Sequence, residues 1–300
     1  MTTLARHVLF GPGDLPDDAG DDLLDLFDDA TITGDDFEME MRTGDWGWCI
    51  AALASSTDEH AHRLADLAAD HGCDHALVQG PLAIHPPRLV VTDVDSTLTT
   101  TEAIDLLAEA AGVGRRVAAI TERAMRGELD FAASLAERVA TLEGLPVSVF
   151  DEVLPSVHLS TGARELVDHV HALGGRFGVV SGGFVNLVEP LVRDLGIDVF
   201  AANVLEVVDG RLTGRTTGPV VDRSFKATQL RAWATEFDAP LDLCVGVGDG
   251  ANDLDLLATA GLGVAYCAKP VTAEQADAAI TFPRLDAVLA LLADPLAHQD

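Results

Sequence analysis

Leu89-Val90-Val91-Thr92-Asp93-Val94-Asp95-Ser96-Thr97-Leu98-Thr99 reads as an apolar strand that ends in two acidic side chains two residues apart. Open α/β sheets hold ligands beyond the carboxyl ends of their strands, so this pair stands where a site would form. On a strand Asp93 and Asp95 share a face, and the small polar residues after them turn the chain into a loop. Carboxylates this close need a cation, a shared proton or different directions to coexist near neutral pH. A hard dication such as Mg²⁺ takes oxygen ligands and leaves positions for water and a phosphate; one Asp can then attack while the other handles protons. Taken alone, the segment also reads as a strand end with Asp or Ser capping the next helix.

The rhythm of the surrounding chain favours the first reading. Candidate strands at 89–93, 176–181, 199–201, 243–246, 262–266 and 279–281 are mostly separated by amphipathic stretches. That alternation predicts an α/β fold with a doubly wound, Rossmann-like, largely parallel sheet. One gap breaks it: residues 100–157 are helical throughout, with Ile104, Leu107, Ala108 and Ala111 at helical spacing. An insertion there sits over the carboxyl end of the first strand, as a lid would. The core is therefore expected at 88–99 and 158–294, with 100–157 as a helical cap. Residues 204–217, around Asp209-Gly210, read as a small hairpin.

Residues 1–85 differ in texture. Acidic residues crowd positions 14–36, strands are predicted at 6–10, 37–42, 47–53 and 75–79, and helices at 21–28 and 58–71. This β-α-β-β-α-β order suits a small ferredoxin-like α+β domain, with Ile84-His85-Pro86-Pro87 as the linker.

Composition sets further bounds. A chain of 300 residues with 48% apolar content buries one substantial core and leaves room for smaller units. A formal charge of −30 argues against nucleic acid or an anionic membrane as partner, because both need basic surfaces. The chain has neither an apolar run of the roughly 18 residues that a membrane span needs nor a basic-then-apolar leader, so a cytoplasmic location is expected. Cys49, Cys73, Cys244 and Cys267 are scattered, without metal-ligand spacing, and are expected to be reduced and buried. Of 19 basic residues only Lys226 and Lys269 are lysines, which makes each worth attention.

Three more constellations lie downstream. Val179-Val180-Ser181-Gly182-Gly183 is a strand running into a hydroxyl and bare backbone amides, groups that hold phosphate oxygens. Gly248-Asp249-Gly250-Ala251-Asn252-Asp253 crowds acids and an amide into one loop at a strand end; Asp249 can close the metal site opened by Asp93 and Asp95. Lys226, in Val221-Asp222-Arg223-Ser224-Phe225-Lys226, can neutralise phosphate charge and keep a nucleophilic carboxylate ionised. Nucleophile, proton handler, dication, donors and a fixed positive charge are the set that phosphoryl transfer requires.

Asp93-Val94-Asp95-Ser96-Thr97 resembles the first motif of the haloacid dehalogenase superfamily. Ser181, Lys226 and Gly248 to Asp253 resemble its second, third and fourth motifs in the family's order, over residues 88 to about 290. Within the insertion, Thr121 to Phe131 with Ser134-Leu135 and Arg138-Val139 is similar to the helical cap of the phosphoserine phosphatases. Val94 stands where many members carry Met or Phe, a mild departure because that position contributes only backbone.

The resemblance implies Mg²⁺-dependent hydrolysis of O-phospho-L-serine, the last step of serine biosynthesis. In this reading Asp93 is the nucleophile and forms an aspartyl phosphate. Asp95 protonates the leaving oxygen and then activates water. Mg²⁺ is held by Asp93, the carbonyl of Asp95, and Asp249. Ser181, the Gly182 N–H and Lys226 hold phosphoryl oxygens, Asn252 sits at the substrate, and Asp253 orients Lys226 or metal-bound water. Glu102 and Arg138 complement the ammonium and carboxylate of the substrate, and Phe131 shields the closed site. Some relatives carry amino-acid-binding ACT domains before the catalytic region, and the strand order of 1–85 is compatible with one. A homodimer stays open. The rivals are another small phosphomonoester as substrate and, from a different class, a phosphorylatable signalling receiver. Asp95 argues against the receiver, since a second acid hastens loss of the phosphate.

Overall fold

The computed structural model describes residues 3–27, 29–32 and 37–295. Its strands are β1 (Thr3–Gly11), β2 (Glu38–Gly44), β3 (Gly47–Ser56), β4 (Asp74–Gln79), β5 (Leu89–Thr92), β6 (Arg176–Phe184), β7 (Val199–Val208), β8 (Arg211–Thr217), β9 (Cys244–Gly248), β10 (Leu262–Tyr266) and β11 (Ala278–Ile280). They form one sheet in the order β2-β3-β1-β4-β11-β10-β9-β5-β6-β7-β8.

From β11 to β7 every neighbouring pair is parallel. β5 lies at the centre, all four residues buried, as a strand covered on both faces must be. Its register places Thr92 opposite Val247 on one side and Val179 on the other, so the chain emerges from β5, β6 and β9 at one level. This alignment gathers motifs that lie far apart in sequence.

The helices are α1 (Ala19–Leu24), α2 (Asp29–Ile32), α3 (Asp58–His71), α4 (Ala103–Ala110), α5 (Gly114–Met125), α6 (Phe131–Ala140), α7 (Val149–Val153), α8 (Ala163–Ala172), α9 (Val185–Leu195), α10 (Arg223–Glu236), α11 (Leu254–Thr259) and α12 (Pro270–Ala273). The expected helix at 21–28 starts earlier and is shorter, and its last position lies outside the described residues. α3 matches its expected bounds because both ends are signalled: Thr57 Oγ1 accepts from His60 N at 3.3 Å, and Gly72 closes the helix at φ 63°.

The cap is α4 to α7. It leaves and rejoins the core at one place, where Thr99 bridges Leu159. Leu107, Val117, Leu135, Val139 and Leu142 form its interior together with Phe184, Leu187, Leu205 and Leu212 of the core. A second attachment is main-chain: Gly144 N donates to Leu212 O and Leu212 N to Leu145 O, both at 2.8 Å, and Val147 N donates to Gly210 O at 3.0 Å. The partner is the β7–β8 hairpin, whose turn residues Asp209 and Gly210 take φ 49° and 73°, as a tight hairpin turn requires. The short strand expected at 199–201 and the hairpin beyond it are continuous, since β7 runs through both.

The N-terminal strands pair antiparallel in the order β2-β3-β1-β4. One sheet face buries Leu9, Trp48, Ile50 and Ala52 with Leu23 and Leu64. The other contributes Val8, Phe10, Cys49 and Ala51 to the main core, where the 3-10 helix Leu285–Leu291 lies. Arg42 donates to the carbonyls of Leu289, Ala290 and Leu292 at 3.0 to 3.1 Å. Ala76 of β4 pairs with Ala278 of β11, and Asp74 accepts from Thr281 N at 2.7 Å, so the small sheet continues the large one.

Cys49 and Cys244 are buried free thiols as expected, but Cys73 is half-buried, and Cys267, which follows β10 at φ 44°, is exposed. Among the described residues no helix is long and apolar enough to cross a membrane.

Candidate active site

Asp93 is the first residue beyond β5, its N–H still donating to Val247 O at 2.9 Å. The residue is 3% exposed, and Oδ1 accepts from Val94 N at 2.7 Å, which fixes the carboxylate at the mouth of the sheet. The chain then reverses through Ser96, at φ 59°. The reversal sends the Asp95 side chain toward the cap hinge, where Oδ1 accepts from the N–H of Ala103, first residue of α4, at 3.0 Å. Two neighbouring carboxylates are thus separated by direction as well as by partner.

β6 brings Ser181, fully buried, whose Oγ accepts from Gly183 N at 2.8 Å. A Cβ on Gly183 would stand 2.9 Å from Asp95 Oδ2 and 3.0 Å from Ser181 Oγ, so only glycine fits without displacing one of them. α10 delivers Lys226 from its first turns. Asp222 caps that helix by accepting from Phe225 N at 2.8 Å, and Lys226, 1% exposed, reaches inward. Lys226 Nζ lies 2.7 Å from Asp93 Oδ2 and 2.6 Å from Asp253 Oδ1.

The loop after β9 completes the ring. Asp249 Oδ1 accepts from Thr97 Oγ1 at 3.3 Å, and Asn252 Nδ2 donates to Asp93 Oδ2 at 3.3 Å. Asp253 is held from two sides, by Lys226 and by Gly250 N at 3.0 Å. Carboxylate oxygens of Asp93, Asp249 and Asp253 all fall within 4.8 Å of one another. One ammonium thus touches two of three clustered acids, and the imbalance shows in their proton affinities. Burial, then Asp253, pushes Asp93 well above the usual carboxylate range, against the pull of Lys226. Burial, then the charges of Asp253 and Glu102, pushes Asp249 up to about 6. Burial opposes charge on Lys226, yet Asp93 and Asp253 together hold it protonated. Asp95 still borders the cavity, and desolvation reinforced by Glu102 brings it up to about 7. A cluster of oxygen donors this short of positive charge suits a hard dication.

Above these groups lies a cavity of about 310 Å³, floored by Asp93, Asp95, Gly182, Asp249 and Asn252 and roofed by the cap. Glu102, Phe131 and Arg138 line it, as the sequence led us to expect, with Ile104, Thr121, Met125 and Leu135 beside them. Arg138 is half-buried, and burial lowers its proton affinity while Glu102 and Asp105 favour its charge. The Phe131 ring would be 3.2 Å from a Cβ on Gly182, so cap and core meet directly over the strand end. A second cavity, of about 380 Å³, is lined by Arg6, Glu38, Glu40 and Leu53 of the N-terminal sheet and contains none of these groups; Arg6 and Glu40 close on each other there as an ion pair.

All eleven expected side chains or amides stand at this one site. Three contacts were missed: Ser96 Oγ donates to Glu102 Oε1 at 2.9 Å, Thr97 holds Asp249, and Asn203 of β7 bonds the Gly182 carbonyl at 2.8 Å. Asn203 had a usable signal: a lone amide within the apolar run Val199-Phe200-Ala201-Ala202-Asn203-Val204-Leu205. Such a residue is stable in a sheet interior only when its hydrogen bonds are satisfied.

Comparison with known proteins agrees with this geometry. Residues 90–258 match the family model for haloacid dehalogenase-like hydrolase. A phosphoserine phosphatase, SerB2, of Mycobacterium tuberculosis is 48% identical over 264 residues, which span 88% of this chain and 62% of that relative. The chain therefore covers less than two thirds of that protein's length. A phosphoserine phosphatase of Streptococcus thermophilus is 53% identical over 204 residues, 68% of this chain and 95% of its own. Among solved structures, the unliganded form of a probable phosphoserine phosphatase from Vibrio cholerae superposes with a TM-score of 0.76 at 36% identity, covering 98% of this chain and 88% of that one. A substrate-bound phosphoserine phosphatase complex superposes at 0.65 with 38% identity, over 69% of this chain and 98% of that one. The chain belongs to the haloacid dehalogenase-like hydrolase family, within its phosphoserine phosphatase branch.

Proposed function

We propose that this chain hydrolyses O-phospho-L-serine to L-serine and phosphate through an aspartyl phosphate on Asp93. The observation that carries the substrate is the pairing of Arg138 and Glu102 on the cavity wall above Asp93 and Asp95. A guanidinium and a carboxylate facing one small cavity complement the carboxylate and ammonium of an amino acid whose side chain bears the phosphate.

Asp93 attacks phosphorus in its carboxylate form, which Lys226 favours against the effect of burial, and the P–O bond to the seryl oxygen breaks. Asp95, whose carboxyl is pushed up to about 7, is partly protonated near neutral pH, and its protonated form gives the proton to that oxygen. The same carboxylate then takes a proton from the water that attacks the aspartyl phosphate, releasing phosphate and restoring Asp93. Ser181 Oγ, the Gly182 amide and Lys226 bind phosphoryl oxygens throughout, while Asn252 adds an amide beside Asp93. Asp253, fully buried against Lys226, keeps that ammonium aimed at Asp93. The donor set fits Mg²⁺, which Asp93, the carbonyl of Asp95 and Asp249 would hold. When bound, the ion supplies positive charge that offsets the phosphoryl and carboxylate oxygens. Phe131 and the cap helices exclude water from the closed cavity.

Phosphate release measured over O-phospho-L-serine, phosphothreonine, phosphoethanolamine and glycerol phosphate tests the substrate. The largest kcat/KM is expected for O-phospho-L-serine; equal values across the series overturn the assignment.

A further inference from the structure

The Gly182–Gly183 peptide lies outside the regular sheet. Ser181 is paired with Ala202 of β7 and Phe184 with Asn203, so two residues of β6 are squeezed out where β7 has none. The Asn203 side chain, 1% exposed, repairs this gap. Its Nδ2 donates to Gly182 O at 2.8 Å, and its Oδ1 accepts from Val221 N at 2.9 Å.

Two consequences follow from covalent geometry. The Gly182 carbonyl and the Gly183 N–H belong to one planar peptide and point in opposite directions. Holding the oxygen at Asn203 therefore aims the N–H the other way, at Ser181 Oγ, 2.8 Å distant. Val221 immediately precedes Asp222, the residue that caps α10 and accepts from Lys226 N at 3.1 Å. A single amide thus ties the strand end carrying Ser181 to the helix start carrying Lys226.

We propose that Asn203 is a positioning residue that sets the spacing and aim of Ser181 and Lys226, the two side chains assigned above to the phosphoryl group. This inference rests on the phosphatase reading but not on serine as the substrate. Asn203 acts through the Gly182–Gly183 peptide and does not line the cavity above Asp93 and Asp95. Asn203→Asp keeps the acceptor for Val221 N and turns the donor into an oxygen that repels Gly182 O. Asn203→Leu removes both bonds at similar volume.

The test compares kcat and KM on O-phospho-L-serine and on p-nitrophenyl phosphate, together with inhibition by inorganic phosphate, at temperatures well below each variant's Tm. Both variants are expected to lose about 10- to 100-fold in kcat/KM on both esters, as small misplacements in a site do. The inhibition constant for phosphate is expected to rise in parallel. In a Ser181→Ala background Asn203→Asp is expected to add much less than it does alone, because the two act through one group. Folded variants with kcat/KM and phosphate inhibition within about 2-fold of wild type, or effects that add in full to Ser181→Ala, overturn the proposal. Wild-type preference for p-nitrophenyl phosphate over phosphoserine would overturn only the substrate assignment.

Discussion

Arg138→Ala is the perturbation that most directly probes how the cap chooses its substrate. Arg138 sits on α6, its Nε donating to Ser134 O at 3.3 Å, and its charge faces the same cavity as Glu102. Hydrogen bonds to a charged group in a partly desolvated site contribute about 1.5–3 kcal/mol. Removal of the guanidinium should therefore cost about 10- to 150-fold in kcat/KM for a substrate that offers a carboxylate, and little for one that does not. O-Phospho-L-serine and phosphoethanolamine form that pair, since they differ only by the carboxylate. The assay is phosphate release at low substrate concentration, which gives kcat/KM for each ester with each enzyme. The ratio of the two should fall by the stated factor in Arg138→Ala, while turnover of phosphoethanolamine stays close to wild type. An unchanged ratio, or equal losses on both esters, refutes the assignment of Arg138 to the substrate carboxylate.

Two further expectations concern the metal and the N-terminal unit. Addition of Mg²⁺ to metal-stripped protein should raise Tm, by the equivalent of about 2.7 kcal/mol at one hundred times Kd, and Asp249→Asn should abolish most of that shift; an equal shift in the variant removes Asp249 from the metal site. His7, fully buried against Ala52 O and Ser56 Oγ, is lowered by desolvation from 6.5 to about 4. Its neutral form is the one that folds, so no stability is lost above about pH 6.5, and about 3 kcal/mol is lost as pH falls from there through about 4. Urea denaturation between pH 7 and 4.5 should show a smaller loss for His7→Gln than for wild type, and identical pH dependence would show that another group titrates.

Much of this was legible because the decisive signals are local. The strand-then-acid pattern at Asp93, the Gly-Asp-Gly turn at Asp249 and the helical spacing of the insertion each lie within a few residues, where periodicity and turn chemistry act. Strand order is a different kind of information. Nothing local to Ala76 or Ala278 foretells that their strands join two sheets into one, because each short apolar run suits several neighbours. Participation through a hydrogen bond to a distant segment is equally silent. Thr97 looks like any loop threonine until β9 brings Asp249 beside it, and Asn203 announces only that it needs partners, not which ones. Helix ends were readable where a capping residue and a left-handed glycine flank them, as around α3, and less so at α1, where Asp18 makes no capping hydrogen bond.

In the proposed mechanism Asp93 takes the phosphoryl group from phosphoserine. Rapid acid quenching during turnover of radiolabelled O-phospho-L-serine tests it, followed by peptide mapping. Transient protein-bound phosphate is expected on the peptide containing Asp93, removable by hydroxylamine, with neither label nor appreciable turnover in folded Asp93→Asn. Steady hydrolysis without protein-bound phosphate, or near-wild-type turnover by Asp93→Asn, would contradict it.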